Sequence, residues 1–354
     1  MAINPEMVVM ARESREWTQR ELASQLGISQ STLSKYELGM LRIPESVAAH
    51  IAAKLNFETE LLRQAVMPVG LSGDFLYRKR AYVPAKVRRR VQAEVNLRRM
   101  QVERLMKRAD VIRDEIPFPA IQPEEMNGRV DRIAQKVREA WRLHEGPIRN
   151  VTAAIENAGG IVFVMDFQTD LIDGTNIRLP GSPPMLFLNG NVPGDRHRFN
   201  LAHELAHSVM HCGLVLDDAE KQANQFASEF LMPRLTIRND LRNLDLTRVA
   251  ELKLVWGVSM AAIIKRAYDL RTITRATYRR MFTALNIKGM RTREPLEVPF
   301  EQPEVFDRLI EVHRVQYEMD DAQMRQVLFT DQLGPISVKD KPIAQLRLSP
   351  GLFD

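Results

Sequence analysis

Residues 196–213 read RHRFNLAHELAHSVMHCG and include the consecutive residues His203, Glu204, Leu205, Ala206 and His207. In an α-helix, residues four positions apart lie on the same face, so the imidazoles of His203 and His207 can bind one metal ion. Glu204 follows the first histidine and can lie beside the open coordination position. There its carboxylate can accept a proton from a metal-bound water. The segment therefore predicts a zinc site of the H-E-x-x-H type, the pattern of zinc hydrolases.

The residues that flank this motif predict that it lies on a helix. Gly194 and Asp195 are typical of a turn and an N-cap, and Gly213 is typical of the position after a helix C-terminus. Between them, apolar residues recur at helical spacing and form one stripe: Phe199, Ala202, Ala206, Val209 and Met210. The motif also occurs by chance, and its histidines would then be ordinary residues bordering a core helix. A third ligand would favour the metal site.

The third ligand is expected to be an acidic or imidazole side chain on a second helix. Glu220 follows His207 by 13 residues, which is long enough for a loop and a return. A packed stripe predicts the helix that carries it: Ala219, Ala223, Phe226, Ala227 and Phe230. Asn224 lies one turn after Glu220 and is expected to hydrogen-bond His203 or His207 as an outer partner.

Three other side chains compete with Glu220 for the third position. His211 lies one turn after His207, but residues at i, i+4 and i+8 drift around a straight helix, so its ring would have to bend back. Asp217 and Asp218 precede Glu220 and are weaker alternatives. Glu220 is therefore the preferred ligand.

The composition restricts the class of protein. The chain has 354 residues, of which 45% are hydrophobic and 27% charged, and this is enough for two or three globular domains. No apolar run approaches the length of a membrane span, and the N-terminal segment lacks the basic region of a signal peptide. The one cysteine, Cys212, excludes an intramolecular disulfide. We therefore expect a cytoplasmic protein without a membrane partner.

Residues 18–40 read TQRELASQLGISQSTLSKYELGM and carry the signals of two short helices joined by a tight turn. Thr18 and Glu21 form a capping box that begins the first helix. Gly27 makes the turn, and Ser29 caps the second helix. This arrangement is a helix-turn-helix. It closely resembles the Xre/Cro–CI family of DNA-binding domains, and the resemblance covers roughly the first sixty residues.

The resemblance implies that the second helix of this pair enters the major groove of double-stranded operator DNA. The residues expected to contact DNA are Gln30, Ser31 and Ser34 at base edges, and Gln19, Thr32 and Lys35 near phosphates. Domains of this type usually bind as dimers across two half-sites, which makes a homodimer an arrangement to test. The alternative is a small helical domain whose polar residues are only solvated.

A block of positive charge follows this domain. Residues 78–113 contain 13 Lys and Arg against 3 Asp and Glu, while the whole chain has a net charge of +5. Pro84 opens a long helix with an imperfect apolar stripe. One interpretation is a connecting helix with a solvated basic face. The other is an electrostatic contact with DNA phosphates beside the helix-turn-helix.

The block FNLAHELAH…EKQANQFASEFLMP, residues 199–207 and 220–233, is similar to the ImmA/IrrE family of metallopeptidases. The matching positions are Phe199, His203, Glu204, His207, Glu220, Ala223, Asn224, Phe226, Ala227, Leu231, Met232 and Pro233. The resemblance implies a gluzincin-type protein with zinc held by His203, His207 and Glu220, with Glu204 as the base. It also implies a protein substrate that is often a repressor. Many relatives carry an N-terminal Xre-type domain, as this chain does.

Two predicted strands, residues 161–165 and 185–189, precede the zinc helix, and residues 172–174 are typical of a turn between them. A strand running just before such a helix can offer its edge to an extended peptide. The residue that would stabilise an oxyanion is not apparent; His197, His211 and Tyr268 are the alternatives.

A second helix-turn-helix pattern covers residues 247–270. Its base-reading positions are apolar, with Met260, Ala261 and Ile264 in place of Gln30, Ser31 and Ser34. Such a face is expected to pack against protein rather than DNA. The tail contains two further predicted helices, residues 303–317 and 321–329, and could dimerise, sense a ligand or occupy the active cleft.

We therefore predict a mainly α fold with a small β-sheet (α+β). The expected parts are a five-helix helix-turn-helix domain (1–68), a basic linker and long helix (69–114), a gluzincin-like zinc peptidase domain (115–242), a helix-turn-helix-like extension packing on it (243–295) and a helical and irregular tail (296–354). The predicted function is a DNA-binding transcriptional regulator with a zinc endopeptidase domain that cleaves a repressor-like regulator or itself. The alternatives are a regulator whose peptidase-like domain is a sensor with little activity, and a stress switch in which zinc loss or a ligand changes DNA affinity.

Overall fold

The computed structural model of the protein describes residues 2–65, 83–108, 118–211, 218–291 and 293–330. Within these ranges the chain is mainly helical with one three-stranded sheet, which confirms the α+β prediction. No helix in the described ranges has both the length and the apolar character needed to cross a membrane. Three predictions concern residues outside these ranges: Asp217 as a ligand, the helix stop at Gly213 and the irregular end of the tail at 333–354.

The helices in chain order are α1 (Pro5–Ser14), α2 (Gln19–Leu26), α3 (Gln30–Glu37), α4 (Glu45–Leu55), α5 (Ala85–Arg108), α6 (Val130–Ala140), α7 (Val151–Asn157), α8 (Gly194–Met210), α9 (Ala219–Leu231), α10 (Arg234–Ile237), α11 (Leu246–Trp256), α12 (Met260–Asp269), α13 (Arg275–Ile287), α14 (Val305–Val315) and α15 (Asp321–Leu328). The strands are β1 (Ile161–Met165), β2 (Gly174–Ile177) and β3 (Met185–Asn189). A short 3-10 helix, Thr59–Arg63, follows α4.

The described residues fall into two compact units. We call residues 2–65, 83–108 and 305–330 the N-terminal unit, and residues 118–211, 218–291 and 293–304 the central unit. The N-terminal unit therefore consists of three separate stretches of the sequence. In sequence order, the described residues of the central unit come between the second and the third stretch.

Local signals account for the helix-turn-helix of the N-terminal unit. The Thr18 side chain accepts a hydrogen bond from the Glu21 amide, and the Glu21 carboxylate accepts one from the Thr18 amide, so the predicted capping box is present. Gly27 ends α2 with a φ of +66°, a left-handed conformation that glycine adopts without strain. The Ser29 hydroxyl accepts from the Thr32 amide and begins α3.

Helix α5 is a core helix of the N-terminal unit. Its buried apolar residues are Val91, Ala93, Val95, Leu97, Met100, Val102 and Leu105. Arg90 and Arg99 are also buried, and each pairs with a glutamate at 3.0 Å: Arg90 with Glu16, and Arg99 with Glu103. Both interpretations of the basic segment placed its cations in solvent or on DNA. Both are wrong for these two arginines, because their charges are neutralised inside the unit.

The described part of the tail completes the same core. Helices α14 and α15 pack against α5, and Phe329 is fully buried in a cluster that includes Leu97. The Gln101 side-chain amide donates to the carbonyl of Leu328 at 2.7 Å. The backbone N–H of Glu58 donates to the carbonyl of Phe329 at 3.0 Å. These contacts join the end of the described chain to its N-terminal domain.

Strand β3 lies at the centre of the sheet, with β1 parallel to it on one side and β2 antiparallel to it on the other. Met185 of β3 is paired with Ile161 and with Ile177, and every residue of β3 is buried. β3 is the strand that directly precedes α8 in the sequence. The expectation that this strand offers its edge to a peptide is wrong, because both of its edges are already paired. In the described sheet, the edge strands are β1 and β2.

Helices α11 and α12 repeat the helix-turn-helix geometry inside the central unit. Gly257 has a φ of +63° between them, and the Ser259 side chain caps α12. Met260 and Ile264 are 1% and 0% exposed, which agrees with the expectation that this face packs against protein. The Glu294 carboxylate accepts from the Met260 amide at 2.8 Å. The start of α12, where a helix of this kind would approach DNA, is therefore occupied by the chain itself.

Candidate metal centre

Helix α8 carries both histidines of the H-E-x-x-H motif and is buried along most of its length. Pro193 is its N-cap, so the expectation that Asp195 caps it is wrong. Asp195 lies in the first turn, where its carboxylate pairs with the buried ammonium group of Lys253 at 2.8 Å. His203 and His207 follow on one face of the helix, and their Nε2 atoms are 3.1 Å apart.

Helix α9 brings a carboxylate to the same point. Glu220 lies in the first turn of α9, which packs along α8. Its Oε1 atom is 3.5 Å from Nε2 of His207 and 3.7 Å from Nε2 of His203. The two histidines are 3% and 5% exposed, whereas the Glu220 side chain is 32% exposed. The site is therefore closed on the α8 side and accessible on the α9 side.

The spacing of these three atoms suits a zinc ion. Zinc–ligand bonds of about 2.0–2.1 Å in a tetrahedron place neighbouring ligand atoms about 3.3 Å apart. The observed separations of 3.1, 3.5 and 3.7 Å lie close to that value. Two imidazoles and one carboxylate also leave the fourth position for water, as in catalytic sites. Of the described His, Cys, Asp and Glu residues, this trio is the group whose ligand atoms are arranged to hold a metal ion.

Glu204 is oriented by strand β2. The side-chain amide of Asn176 donates to Oε2 of Glu204 at 3.0 Å, and both residues are buried. A Cβ atom on Gly174 would lie 2.9 Å from Cγ of Glu204, so the absence of a side chain there makes room for the carboxylate. Sequence reasoning took Gly174 as part of a turn and did not single out Asn176. Alternation along a strand would have placed both residues on the same face.

His211 does not join the metal site. Its Nδ1 atom lies 2.8 Å from Nδ1 of His207, on the opposite side of that ring from Nε2. Its Nε2 atom lies 2.9 Å from Oε1 of Gln222 on α9. His211 is therefore an outer partner of His207 and not its competitor. Gln222 has no local sequence signal that would have identified it.

Asn224 is exposed on α9, and its side-chain amide donates to the backbone carbonyl of Glu220 at 2.7 Å. Its expected hydrogen bond to His203 or His207 stays a prediction. Asp218, a weaker ligand alternative, is exposed just before α9.

The other residues considered for oxyanion stabilisation have different surroundings. His197 is fully buried, with its ring centroid 4.1 Å from that of Phe300. Burial, together with the nearby Arg198, lowers the pKa of His197 to about 4. Tyr268 packs against the ring of Tyr278 at 4.7 Å. The structure thus gives each of these rings a packing partner, and the oxyanion donor stays unassigned.

The residues expected to contact DNA lie on and beside α3. Gln30, Ser31 and Lys35 are exposed, and the others are partly exposed: Gln19, Thr32 and Ser34. The Gln30 amide donates to the Gln19 carbonyl oxygen at 2.8 Å. The Gln19 amide in turn donates to the Glu37 carboxylate at 2.8 Å.

This series of hydrogen bonds ends at a buried ion pair. Glu37 forms a two-pronged ion pair with Arg12, at 2.6 and 2.9 Å, and both residues are buried. Gln30, at the other end of the series, is therefore held in a defined orientation at the start of α3. A defined side-chain orientation is what the readout of DNA bases requires.

Comparisons with known families cover both units. Residues 9–62 match the family model described as a helix-turn-helix, and residues 156–268 match the one described as an IrrE N-terminal-like domain. The second match includes β1 to β3, α8 to α11 and most of α12. A search of curated proteins found no match to the chain. The chain joins an Xre-like helix-turn-helix domain to an IrrE/ImmA-like domain of the M78 peptidase family.

Proposed function

We propose that the chain is a DNA-binding transcriptional regulator whose central unit is a zinc-dependent endopeptidase. Its substrate would be a repressor-like regulatory protein or the chain itself. The observation that carries the proposal is the convergence of Nε2 of His203, Nε2 of His207 and Oε1 of Glu220 at separations of 3.1 to 3.7 Å. The helix-turn-helix domain supports the assignment to regulation.

In this proposal, three residues of the site bind the metal and a fourth transfers the proton. His203, His207 and Glu220 would hold the zinc ion, which when bound would polarise a water molecule and a peptide carbonyl. The Glu204 carboxylate, fixed by Asn176, would accept the proton of the attacking water and pass it to the leaving amine.

Strand β2 is well placed to receive an extended peptide. It lies at an edge of the described sheet, and it carries Gly174 and Asn176, which lie against Glu204. A peptide that pairs with a sheet edge gains backbone hydrogen bonds independent of its sequence. A substrate strand at β2 would therefore bring a scissile bond next to the base.

The test is a cleavage assay with the purified, zinc-loaded full chain and candidate repressor proteins. We expect one discrete cut, found by intact-mass measurement, that is lost in Glu204→Gln although that variant keeps its zinc. The substitution removes the base but leaves all three ligands. Unchanged zinc content together with unchanged proteolysis in this variant would refute the role of Glu204.

A second function, a regulator whose metal domain acts as a sensor, is favoured by the burial of the site. His203, Glu204 and His207 are all 5% exposed or less. A site of this kind can hold a metal ion for signalling without admitting a polypeptide. Operator binding that changes when zinc is removed by a chelator, with no cut in any candidate repressor or in the chain, would select this function over the peptidase.

A further inference from the structure

We propose that His211 and Gln222 form a positioning pair that selects the tautomer of His207 and so presents its Nε2 lone pair to the metal. This inference rests on the proposed zinc site, but its structural part concerns only groups of the chain. Neither residue of the pair is one of the three expected ligands, and the pair was not identified from the sequence.

The argument begins at Gln222. Its Oε1 atom is 2.9 Å from Nε2 of His211. A carbonyl oxygen can only accept a hydrogen bond, so Nε2 of His211 must carry the proton. A neutral imidazole has one N–H and one lone pair, which leaves the lone pair of His211 on Nδ1.

The contact between His211 and His207 then determines the tautomer of His207. The two Nδ1 atoms of His207 and His211 are 2.8 Å apart, which requires one donor and one acceptor. Because His211 accepts there, Nδ1 of His207 carries the proton. Nε2 of His207 then has the lone pair, and this is the atom that faces His203 and Glu220. A metal ligand must present a lone pair, so the series of hydrogen bonds leaves His207 in the ligating form.

The burial of both histidines strengthens the preference for this tautomer of His207. His207 and His211 are 3% and 2% exposed, so water is not a ready substitute for a missing partner. A buried polar atom that loses its hydrogen-bond partner destabilises the folded state. The other tautomer of His207 has its proton on Nε2, so it would place two lone pairs against each other, one on Nδ1 of His207 and one on Nδ1 of His211.

Helix α9 supplies both the third ligand and the outer acceptor. Glu220 and Gln222 are separated by one residue at the start of α9, and they act on opposite nitrogen atoms of His207, one directly and one through His211. The docking of α9 on α8 therefore sets the position of the carboxylate and the tautomer of the imidazole in one step.

The experiment measures zinc affinity by chelator competition in the full chain and in three variants. Gln222→Met keeps the size of the side chain but removes the acceptor, and we expect zinc to bind about 10- to 100-fold more weakly. Gln222→Glu keeps an acceptor oxygen and should bind zinc at least as tightly as the parent. Gln225→Met makes the same change at an exposed position of α9 and should have no effect.

A purely packing role for Gln222 predicts the reverse order, because in this partly buried position methionine would then be tolerated and a carboxylate would not. That result would overturn the proposal. Thermal unfolding in the presence of chelator identifies any variant that has lost its fold.

Nitrogen-15 NMR of the metal-free chain gives an independent reading. We expect the proton on Nε2 of His211 and on Nδ1 of His207, and loss of this preference in Gln222→Met. The opposite tautomers in the parent would refute the proposal even if zinc binds. If the parent binds no zinc, the proposed function fails, and the tautomers alone decide whether the pair acts on His207.

Discussion

The side-chain amide of Asn176 donates a hydrogen bond of 3.0 Å to Oε2 of Glu204. Glu204 of the H-E-x-x-H motif is thus oriented by an edge strand as well as by the helix that carries it. Because this hydrogen bond is made to Glu204 and not to an atom of the proposed metal site, the proposed roles in base orientation and in metal binding can be tested separately by mutation.

We expect Asn176→Ala to slow peptide cleavage at least about tenfold, a part of the 10²–10⁴-fold effect of a positioned general base. Zinc affinity should be unchanged, because His203, His207 and Glu220 keep their positions. The readouts are kcat from cleavage kinetics and zinc affinity from chelator competition. A variant that cleaves at the normal rate, or that loses zinc, would contradict the role assigned to Asn176.

Two residues of α3 predict different outcomes on DNA: Gln30, which hydrogen-bonds Gln19, and Lys35, which is exposed. Gln30→Ala should relax sequence preference by about 1–3 kcal/mol at the base it reads and leave binding to random DNA nearly unchanged. Lys35→Ala should weaken binding on every sequence and reduce the dependence on salt by about one phosphate contact. Fluorescence anisotropy over a salt series, on selected and random duplexes, measures both. Equal losses on both duplexes for Gln30→Ala would rule out the groove assignment.

The burial of Phe329 predicts that the tail stabilises the DNA-binding unit. The ring is fully buried, and the guanidinium of Arg104 lies 4.4 Å from its centroid. Phe329→Ala should lower the free energy of unfolding of this unit by about 3–5 kcal/mol, because it leaves a cavity in the core. Chemical unfolding, followed together with operator binding, measures this effect.

Val315→Ala is the matched control for the tail. Val315 is 53% exposed in the same unit, so its truncation should change stability by less than about 0.5 kcal/mol. Equal effects of the two substitutions would show that Phe329 is not part of the core.

His197 predicts a loss of stability in acid. Burial, and to a smaller extent Arg198, lowers its pKa to about 4, so the folded ring is neutral where the unfolded one, with a pKa near 6.5, begins to bind a proton. Well above pH 6.5 neither state is protonated, and His197 makes no contribution to the pH dependence. Between about pH 6.5 and 4 only the unfolded chain gains the proton, so the free energy of unfolding falls by up to about 1.4 kcal/mol per pH unit.

His197→Phe should make that decline shallower, since a phenyl ring fits beside Phe300 and cannot bind a proton. The measurement is urea unfolding of the metal-free chain at several pH values. Removing the metal excludes zinc release from the comparison, and protonation of the proposed ligands is common to the variant and the parent. Identical pH slopes for the variant and the parent would show that His197 is not the group responsible.

Much of the architecture followed from short-range patterns. The capping box of Thr18 and Glu21, the left-handed Gly27 and the Ser29 cap predicted α2 and α3, because each acts within one helical turn. The i, i+4 spacing of His203 and His207 predicted their approach for the same reason. The apolar face of α12 predicted its burial. Glu220 was identified through spacing and a family resemblance, and α9 brings it to the histidines.

Other features depend on contacts between residues that are far apart in the chain. No local pattern places Asn176 beside Glu204, because β2 is a short strand whose position is set by pairing with β3. The same holds for Gln222, which reaches His211 only when α9 docks on α8.

By itself, then, the sequence determined the two families, the helices that carry their motifs and the residue types of the candidate metal site, because these depend on residue identity and on spacing within a turn. Only the tertiary structure decided that the apolar face of α5 is buried with two of its arginines, that Phe329 belongs to the core of the N-terminal unit and that Asn176 of β2 hydrogen-bonds Glu204. The physical reason is the same in each case. Burial and strand order are set by which distant surfaces exclude water together, and a charge pattern such as that of α5 looks the same whether its partners are solvent, DNA or glutamates of the same chain.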